Sequence, residues 1–402
     1  MRRVGPQAGY LFDHSEDYDA ARRWVDLPLE DPEIHAIAGR ALAEVQARHL
    51  ILPEAEILLD RVVVALLTGH VVLEGPPGTG KTTLARIVAS AFGCTEQVVT
   101  ATADWSAFDV VGGLQPRVRG EGDFATEYLS PVLGCVTEAA VRCADVIARH
   151  EDAPDDHPDQ AHWLIIDELN RADIDKAIGP LYTPLGGSGE RSVRLWFENA
   201  DERRAVWLPE RFRIIGTMNS VDTAYVFEMS QGLTRRFQFI YVGVPTREQM
   251  GEELDAAARQ AATWVASKYG ASEAGTAEQE EYIEDFVRDP GVEQCRSVLR
   301  RLVEAVRYDA DGQIGWPLGT AQIVDVLRQV ALRREASVKT GTDLISALDL
   351  AISDRVVPQM QNLLTDQIDG FRTRLDADEM RLLERTRRAV DRLKRAQSTA
   401  FA

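Results

Sequence analysis

The chain has 402 residues, enough for two or three domains, and its 45% hydrophobic and 27% charged content are those of an ordinary soluble globular protein. Its longest apolar runs are far too short to cross a bilayer, so no membrane segment is expected. The formal net charge of −19 argues against a sequence-independent coat for DNA, although a local basic surface is still compatible with it.

The N-terminus and the cysteines indicate a cytoplasmic protein. Two arginines near the start are not followed by an apolar stretch, so no secretory signal is predicted. The four cysteines show no CxxC spacing. We therefore expect reduced thiols in the core, as is usual in the cytoplasm.

Apolar patterns divide the chain into three parts. Residues 1–50 are predicted to be irregular and helical, with helical spacing that starts at Asp31 and is broken at Pro53. Residues 51–245 alternate short apolar runs with helical patterns, which is typical of a parallel sheet covered by helices on both faces. Residues 246–402 are rich in helix formers and are predicted to be all-helical, with a small-residue linker at 270–281.

Short apolar runs predict the strands of the sheet in the middle part. These runs begin at Val71, His162, Arg211 and Phe239. Between the second and the third run, alternation in Val193–Phe197 and Ala205–Leu208 predicts a β-hairpin.

The motif GPPGTGKT fits the phosphate-loop pattern G-x-x-x-x-G-K-[ST] and lies between a predicted strand and a predicted helix. Its glycines allow backbone N–H groups to surround a phosphate, and the N-terminus of the following helix adds partial positive charge. Lys81 is expected to reach the β- and γ-phosphates and the Thr82 hydroxyl to hold Mg²⁺. A chance Gly/Pro turn before Lys-Thr is the alternative. The predicted nucleotide-binding residues are Gly75, Pro76, Pro77, Gly78, Thr79, Gly80, Lys81, Thr82, Thr83 and Asp167.

Two carboxylates end the apolar run that begins at His162. Asp167 and Glu168 follow a predicted strand, and strand ends of this kind face the ligand crevice of an α/β sheet. Asp167 is expected to hold the water shell of Mg²⁺, and Glu168 to orient and deprotonate the attacking water. Acidic residues in the first turn of a helix are the alternative.

Asn219 ends the next apolar strand, in the stretch FRIIGTMNSVD. Its amide is predicted to lie beside Asp167 and Glu168, where it could hold the attacking water or sense the γ-phosphate. The alternative is a helix cap or an Asx-turn.

Two adjacent arginines, Arg235 and Arg236, precede the fourth apolar run. A guanidinium suits a phosphoryl transition state because it is planar, always charged and multidentate. Either arginine could act on the nucleotide of a neighbouring subunit. A surface ion pair is the alternative.

Together these motifs resemble the AAA+ ATPases of the MoxR and McrB-like, dynein-related branch. GPPGTGKTTLAR, IIDELNRAD, IIGTMNSVD and LTRRFQF occur in the family's order over about residues 50–245. The resemblance implies a three-layer α/β/α domain, an inserted helix after Phe108–Pro116, a β-hairpin before the sensor strand, and a helical lid.

The resemblance also implies a homo-oligomeric ring, usually a hexamer, with ATP and Mg²⁺ at each subunit interface. Asn219 would then be the first sensor, and Arg235 or Arg236 the finger that reaches the next subunit. Asn170 and Arg171 would couple the Asp167–Glu168 segment to that subunit.

This sequence departs from the family pattern at two positions. Gln322 occupies the position where many relatives have a second-sensor arginine in the lid. Thr223 stands where the GTP-using restriction branch has an arginine. ATP is therefore the expected nucleotide, and GTP stays open.

Three functions are compatible with these motifs. The first is an ATP-driven ring that remodels a protein partner, as MoxR-like relatives do. The second is an McrB-like NTPase motor of a nucleic-acid-targeting defence complex, in which contact with nucleic acid would be indirect. The third is a nucleotide-gated switch. The basic helix Arg381–Arg395 is predicted to be a solvated face or to complement an acidic surface of the protein itself, and contact with nucleic acid or a partner is the alternative.

Overall fold

A computed structural model describes residues 2–4, 8–13, 24–30, 33–119, 126–186, 191–194, 204–220, 230–269, 276–308, 315–340 and 343–400. The chain forms two compact units, which are described separately. Unit 1 comprises Met1–Val45, Glu54–Gly75 and Lys81–Val242. Unit 2 comprises Gln46–Pro53, Pro76–Gly80 and Gly243–Ala402, so two short segments of the middle part group with the helical part.

The strands of unit 1 are, in chain order, β1 (Arg2–Val4), β2 (Ala8–Asp13), β3 (His70–Gly75), β4 (Cys94–Thr100), β5 (Gly112–Arg119), β6 (Thr126–Leu133), β7 (Ala161–Asp167), β8 (Ser192–Arg194), β9 (Arg204–Trp207), β10 (Ile214–Asn219) and β11 (Phe237–Tyr241). Five of them form one parallel sheet in the order β11-β3-β10-β7-β4. The central strands β3, β7 and β10 are almost wholly buried, as apolar runs in a covered parallel sheet require. The predicted α/β parallel-sheet fold is confirmed.

The edge strand β4 is absent from the predicted strands. Its sequence, CTEQVVT, contains four polar side chains and is mostly half-buried. An edge strand needs no continuous apolar run, so it lacks the signal that identified the central strands.

Helices cover this sheet. They are α1 (Ile34–Ala47), α2 (Ala55–Thr68), α3 (Lys81–Ala91), α4 (Ala107–Val110), α5 (Cys135–Asp152), α6 (Ile174–Ile178) and α7 (Gln231–Thr234). The break predicted at Pro53 falls between α1 and α2, and α3 begins at Lys81 as predicted.

Two antiparallel elements accompany the parallel sheet. One is a four-stranded sheet in the order β1-β2-β9-β8. β8 and β9 pair where the sequence predicts a hairpin, whose residues 195–203 lie outside the described part. β1 and β2 lie in a segment predicted to be irregular. β2 pairs with β1 just before it and with β9 about 190 residues later.

The second antiparallel element is the hairpin β5–β6, which runs from Gly112 to Leu133 around the undescribed residues 120–125. It begins within the segment Phe108–Pro116, after which the family resemblance implies an inserted helix. The described residues of this insertion are strands, and the next helix is α5, which leads to β7.

Unit 2 is helical, as predicted for residues 246–402. Its helices are α8 (Met250–Tyr269), α9 (Thr276–Arg288), α10 (Pro290–Arg307), α11 (Thr320–Thr340), α12 (Leu344–Arg355), α13 (Thr365–Arg374) and α14 (Glu384–Ala400). Their buried apolar side chains form one cluster. Within it, Arg307 and Glu253 form a fully buried ion pair through two hydrogen bonds of 2.6 Å each.

The basic helix α14 is paired with acidic groups of unit 2. Lys394 contacts Asp369 at 2.7 Å, and Arg387 contacts Asp376 at 3.4 Å. These contacts favour the first of the two interpretations of this helix, that it covers an acidic surface of its own protein. Over the described ranges, no helix is both long and apolar enough to cross a membrane.

Candidate nucleotide site

The carboxyl ends of three neighbouring strands bring three of the predicted site residues, Gly75, Asp167 and Asn219, to one edge of the sheet in unit 1. β10 lies between β3 and β7, with Asn219 opposite Gly75 and Gly216 opposite Ile166. The strands therefore end side by side, at the edge where α/β sheets bind ligands.

Asp167 is the centre of the polar contacts at this edge. Its Oδ1 accepts hydrogen bonds from the hydroxyls of Thr82 and Thr217, each at 2.6 Å. The Thr217 hydroxyl also accepts from the Glu168 N–H at 3.1 Å. Asp167 Oδ2 has no hydrogen-bond partner in the described part of unit 1. One carboxylate oxygen is thus fixed by two hydroxyls, and the other remains available.

Thr217 is the residue that sequence reasoning missed. The prediction placed Asn219 beside Asp167 and Glu168, whereas the side chain that contacts both of them is that of Thr217. Asn219 instead accepts, through its backbone carbonyl, a 3.4 Å hydrogen bond from the amide of the buried Asn170. The sequence signal that could have identified Thr217 is a polar residue inside an apolar strand, in the stretch GTMN, two residues before that strand ends.

Glu168 has an unusual conformation. Its φ of 56° lies in the left-handed region, which is uncommon for a residue with a side chain. Its carboxylate forms an ion pair with Arg171, three residues later. Glu168 is thereby held at the turn between β7 and the short 3-10 helix Leu169–Arg171.

Lys81 begins α3 with a buried side chain. Its ammonium donates a 3.0 Å hydrogen bond to the carbonyl of Gly75, at the end of β3. Gly75 itself passes close to the next segment of backbone, because a Cβ added there would lie 2.1 Å from the Val242 carbonyl oxygen. No larger residue fits at this point without moving the backbone.

The loop residues Pro76–Gly80 belong to unit 2. Gly78 and Gly80 have φ values of +77° and +83°, which favour glycine. The Gly78 carbonyl accepts a 3.0 Å hydrogen bond from the N–H of Ala321, near the start of α11. A Cβ added to Gly78 would lie 2.4 Å from Gln322 Oε1, so the predicted lid residue does contact this loop.

Arg235 and Arg236 lie just before β11, at the amino-terminal edge of the sheet and therefore at the edge opposite Asp167. Arg236 donates to the carbonyls of Tyr182 (3.0 Å) and Gly232 (2.9 Å), and its guanidinium lies 5.4 Å from the centre of the Tyr182 ring. Arg235 is exposed, and its guanidinium makes no hydrogen bond or ion pair within the described residues. Arg236 is thus already held by hydrogen bonds, whereas the guanidinium of Arg235 is held by none within the described residues.

Asp175 on α6 holds the helix that precedes this arginine pair. Its carboxylate accepts a 2.7 Å hydrogen bond from the Ser230 N–H and further bonds from the hydroxyls of Ser230 and Tyr182. Ser230 in turn caps α7. The segment that follows Glu168 is therefore connected to the arginines through side chains of the same unit.

The parallel sheet, the phosphate-loop motif between β3 and α3, and the paired Thr82 and Asp167 define the class: a P-loop NTPase of the AAA+ type. Residues 70–237 match the family described as "AAA domain (dynein-related subfamily)". A curated relative is the Chaperone MoxR1 of Mycobacterium tuberculosis, which is 29% identical over 222 residues, covering 55% of this chain and 48% of the relative. The chain is thus similar to the MoxR-like AAA+ ATPases, and the match spans about half the length of that relative.

Solved structures give a weaker likeness. Two RuvB mutants of Thermotoga maritima share 13% identity with this chain, with TM-scores of 0.38 and 0.39. The alignments cover 84% and 87% of this chain, and 87% and 89% of the RuvB chains. These TM-scores are too low to support an argument about function.

Proposed function

We propose that this chain hydrolyses ATP with Mg²⁺ in an oligomeric ring and thereby remodels a protein partner. The observation that carries the proposal is the 2.6 Å hydrogen bond between Thr82 and Asp167, which joins the end of the phosphate-loop motif to the end of β7. A hydroxyl and a carboxylate are the oxygen groups that hold Mg²⁺ beside nucleotide phosphates in this class of enzyme.

The side chains present fit a magnesium nucleotide. Asp167 Oδ2 is available to act on a water of the ion, while Oδ1 is fixed by Thr82 and Thr217. The Lys81 ammonium donates a 3.0 Å hydrogen bond to the neutral carbonyl of Gly75. An anionic phosphate oxygen is a stronger acceptor for this ammonium. Bound Mg²⁺-ATP would supply the phosphoryl group and neutralise part of its charge.

Glu168 is proposed as the base that orients and deprotonates the attacking water. Its backbone is fixed by the bond from its N–H to Thr217, so the turn does not need to rearrange. Its Oε2 is ion-paired with Arg171, and Oε1, which has no partner among the described residues, is left to accept a proton from the water. Movement of Arg171 would free the carboxylate to reorient, so Arg171 is a candidate gate on hydrolysis, and Asn170 links the same segment to Asn219.

The experiment that tests this proposal is phosphate release from ATP and Mg²⁺ by Glu168→Gln. We expect the variant to bind ATP normally and to turn over about 10²- to 10⁴-fold more slowly, because a general base contributes a factor of this size. Glu138→Gln is the matched control, since Glu138 is also paired with an arginine, Arg142, but lies on α5. Full turnover by Glu168→Gln would remove the catalytic assignment.

Arg235 is proposed as the finger that acts on the nucleotide of the neighbouring subunit. A finger has to extend beyond its own subunit, and the exposed Arg235 is uncommitted within the described residues, whereas Arg236 is held by Tyr182 and Gly232. Asn219 remains proposed as the first sensor, at the carboxyl end of β10.

A protein partner and ATP are both proposals. The curated relative is named a chaperone, which favours a protein client over nucleic acid. Thr223, which bears on the choice between ATP and GTP, lies outside the described residues. Parallel assays with ATP and GTP, each with and without duplex DNA, test both points. Turnover that rises with DNA and falls steeply with salt would favour the nucleic-acid motor.

A nucleotide-gated switch is a second candidate, favoured by the ion pair between Glu168 and Arg171. A switch would turn over slowly even in the unmodified protein, and Glu168→Gln would retain its effect on a partner. A remodelling ATPase would lose that effect.

For the compartment we propose the cytoplasm, because all four cysteines are free and three of them are buried.

A further inference from the structure

A small arginine-lined cavity lies at the amino-terminal edge of the central sheet in unit 1. β3 begins at His70, β10 directly after Arg213, and β11 directly after Arg236. Because these strands are parallel, their starts meet at the edge opposite Asp167. The cavity measures about 170 Å³, and its charged walls are Arg191, Arg213, Arg235, Arg236 and Glu210.

The charges around this cavity do not balance. Four guanidinium groups face one carboxylate, that of Glu210, which forms an ion pair with Arg191. Arg213 and Arg236 are satisfied by neutral backbone carbonyls, which accept hydrogen bonds without cancelling charge. Three positive charges are left without a carboxylate partner among the cavity residues.

Some guanidinium N–H groups that line this cavity form no hydrogen bond within the described residues. Arg213 is buried and uses its N–H groups on the carbonyls of Leu66, Leu67, Glu210 and Phe212, so it supplies mainly charge. Arg236 uses two of its five N–H groups, and the guanidinium of Arg235 uses none within the described residues. Arg235 and Arg236 can therefore still donate to an anion.

His70 lies at this positively charged edge. Burial, as the largest cause, and the nearby Arg213 and Arg191 together lower its pKa to about 3. Its Nδ1 accepts a 3.1 Å hydrogen bond from the Ile214 N–H, as a neutral ring can. His70 thus adds no charge to the cavity near neutral pH.

We propose that this cavity binds a free phosphate dianion, separately from the nucleotide proposed at the phosphate loop. A pocket for a drug-sized ligand has about 300–1,000 Å³, so this cavity is too small for a nucleotide and large enough for a small oxyanion. Guanidinium groups match phosphate oxygens in geometry and charge. The proposal requires neither hydrolysis nor assembly, but it shares Arg235 with the proposed finger, so the test uses phosphate and nucleotide-free protein to separate the two roles.

The test is calorimetric titration of dilute, nucleotide-free Lys81→Ala protein with inorganic phosphate at constant ionic strength. Lys81→Ala weakens phosphate binding at the loop, so the remaining heat reports the cavity. We expect a dissociation constant on the order of 1 mM, which two or three charge-assisted hydrogen bonds can provide. Binding seen only in nucleotide-loaded assemblies would assign the cavity to a neighbour's nucleotide and overturn the proposal.

Two further substitutions should change the affinity in opposite directions. Arg235→Gln should weaken binding about tenfold, the effect of losing one charge-assisted hydrogen bond. Glu210→Gln should tighten it by a similar factor, because it removes the one carboxylate among the described cavity residues and releases Arg191. Glu138→Gln, which also breaks an arginine pair, should leave the affinity unchanged.

An NMR titration of the unsubstituted protein tests the proposal without the cavity variants. The ring resonances of His70 are identified by their loss in His70→Gln. Phosphate should shift these resonances and should raise the pKa of His70. No binding at phosphate concentrations about tenfold above the expected constant, or weaker binding by Glu210→Gln, would overturn the proposal.

Discussion

Arg235 and Arg236 are adjacent in sequence, yet the structure predicts different consequences for replacing them. Arg236→Gln removes hydrogen bonds to the carbonyls of Tyr182 and Gly232 and the stacking on the Tyr182 ring. Taking about 1 kcal/mol for each of these partly exposed contacts gives a loss of about 2–3 kcal/mol. In a unit of this size that lowers Tm by about 4–12 °C. Arg235→Gln removes no contact within the described residues and should change stability by less than about 0.5 kcal/mol.

Turnover should show the reverse order of effects. If Arg235 is the finger, Arg235→Gln lowers turnover by about 10³-fold or more while Tm stays unchanged. Calorimetric unfolding and phosphate release on the same preparations provide both values.

Mixing two inactive variants shows whether the arginine acts across a subunit interface. A Glu168→Gln subunit retains its arginine, and an Arg235→Gln subunit retains its glutamate. Random mixing places an intact glutamate beside an intact arginine at about a quarter of the interfaces, so turnover should return in the mixture. Equal Tm losses in the two arginine variants, or no recovery on mixing, would refute this reasoning.

Two predictions concern unit 2. Glu253→Gln should destabilise unit 2 by about 3–5 kcal/mol in denaturant unfolding, because it leaves the fully buried Arg307 without its counter-charge. Glu384→Gln, in an exposed pair with Arg388, should change stability by less than about 1 kcal/mol, and equal effects would contradict the burial argument. Gly78→Ala should weaken ATP binding about tenfold, measured by calorimetry, because a φ of +77° costs an alanine about 1–2 kcal/mol, while the Gln322 side chain can turn away. Gly39→Ala in α1, where no atom lies within 4 Å of the added methyl, should leave binding intact and stabilise the helix by about 0.5–1 kcal/mol. Normal ATP binding by Gly78→Ala would contradict the conformational argument.

The sequence was sufficient to predict an element wherever a short run of neighbouring residues identifies that element. A covered parallel strand has to be a short apolar run, so β3, β7 and β10 could be predicted from composition alone. The edge strand β11 also contains such a run, and the phosphate-loop motif marked the start of α3 at Lys81. The edge strand β4 and the strand β2 could not be predicted in this way. β4 is only half-buried, and β2 joins its sheet between the neighbouring β1 and the distant β9.

The tertiary structure decided which side chains meet. Strand register places Thr217 against Asp167 and Glu168, and a polar residue inside an apolar run does not show which neighbour it faces. Packing likewise separates two arginines that are equivalent in sequence, because Arg236 folds back onto Tyr182 while Arg235 stays exposed. The amino-terminal ends of three strands meet at one edge, and this gathers four arginines into a cavity although they lie up to 45 residues apart. Residue type and spacing determined the class of the protein, whereas register and packing determined the contacts of its charged groups.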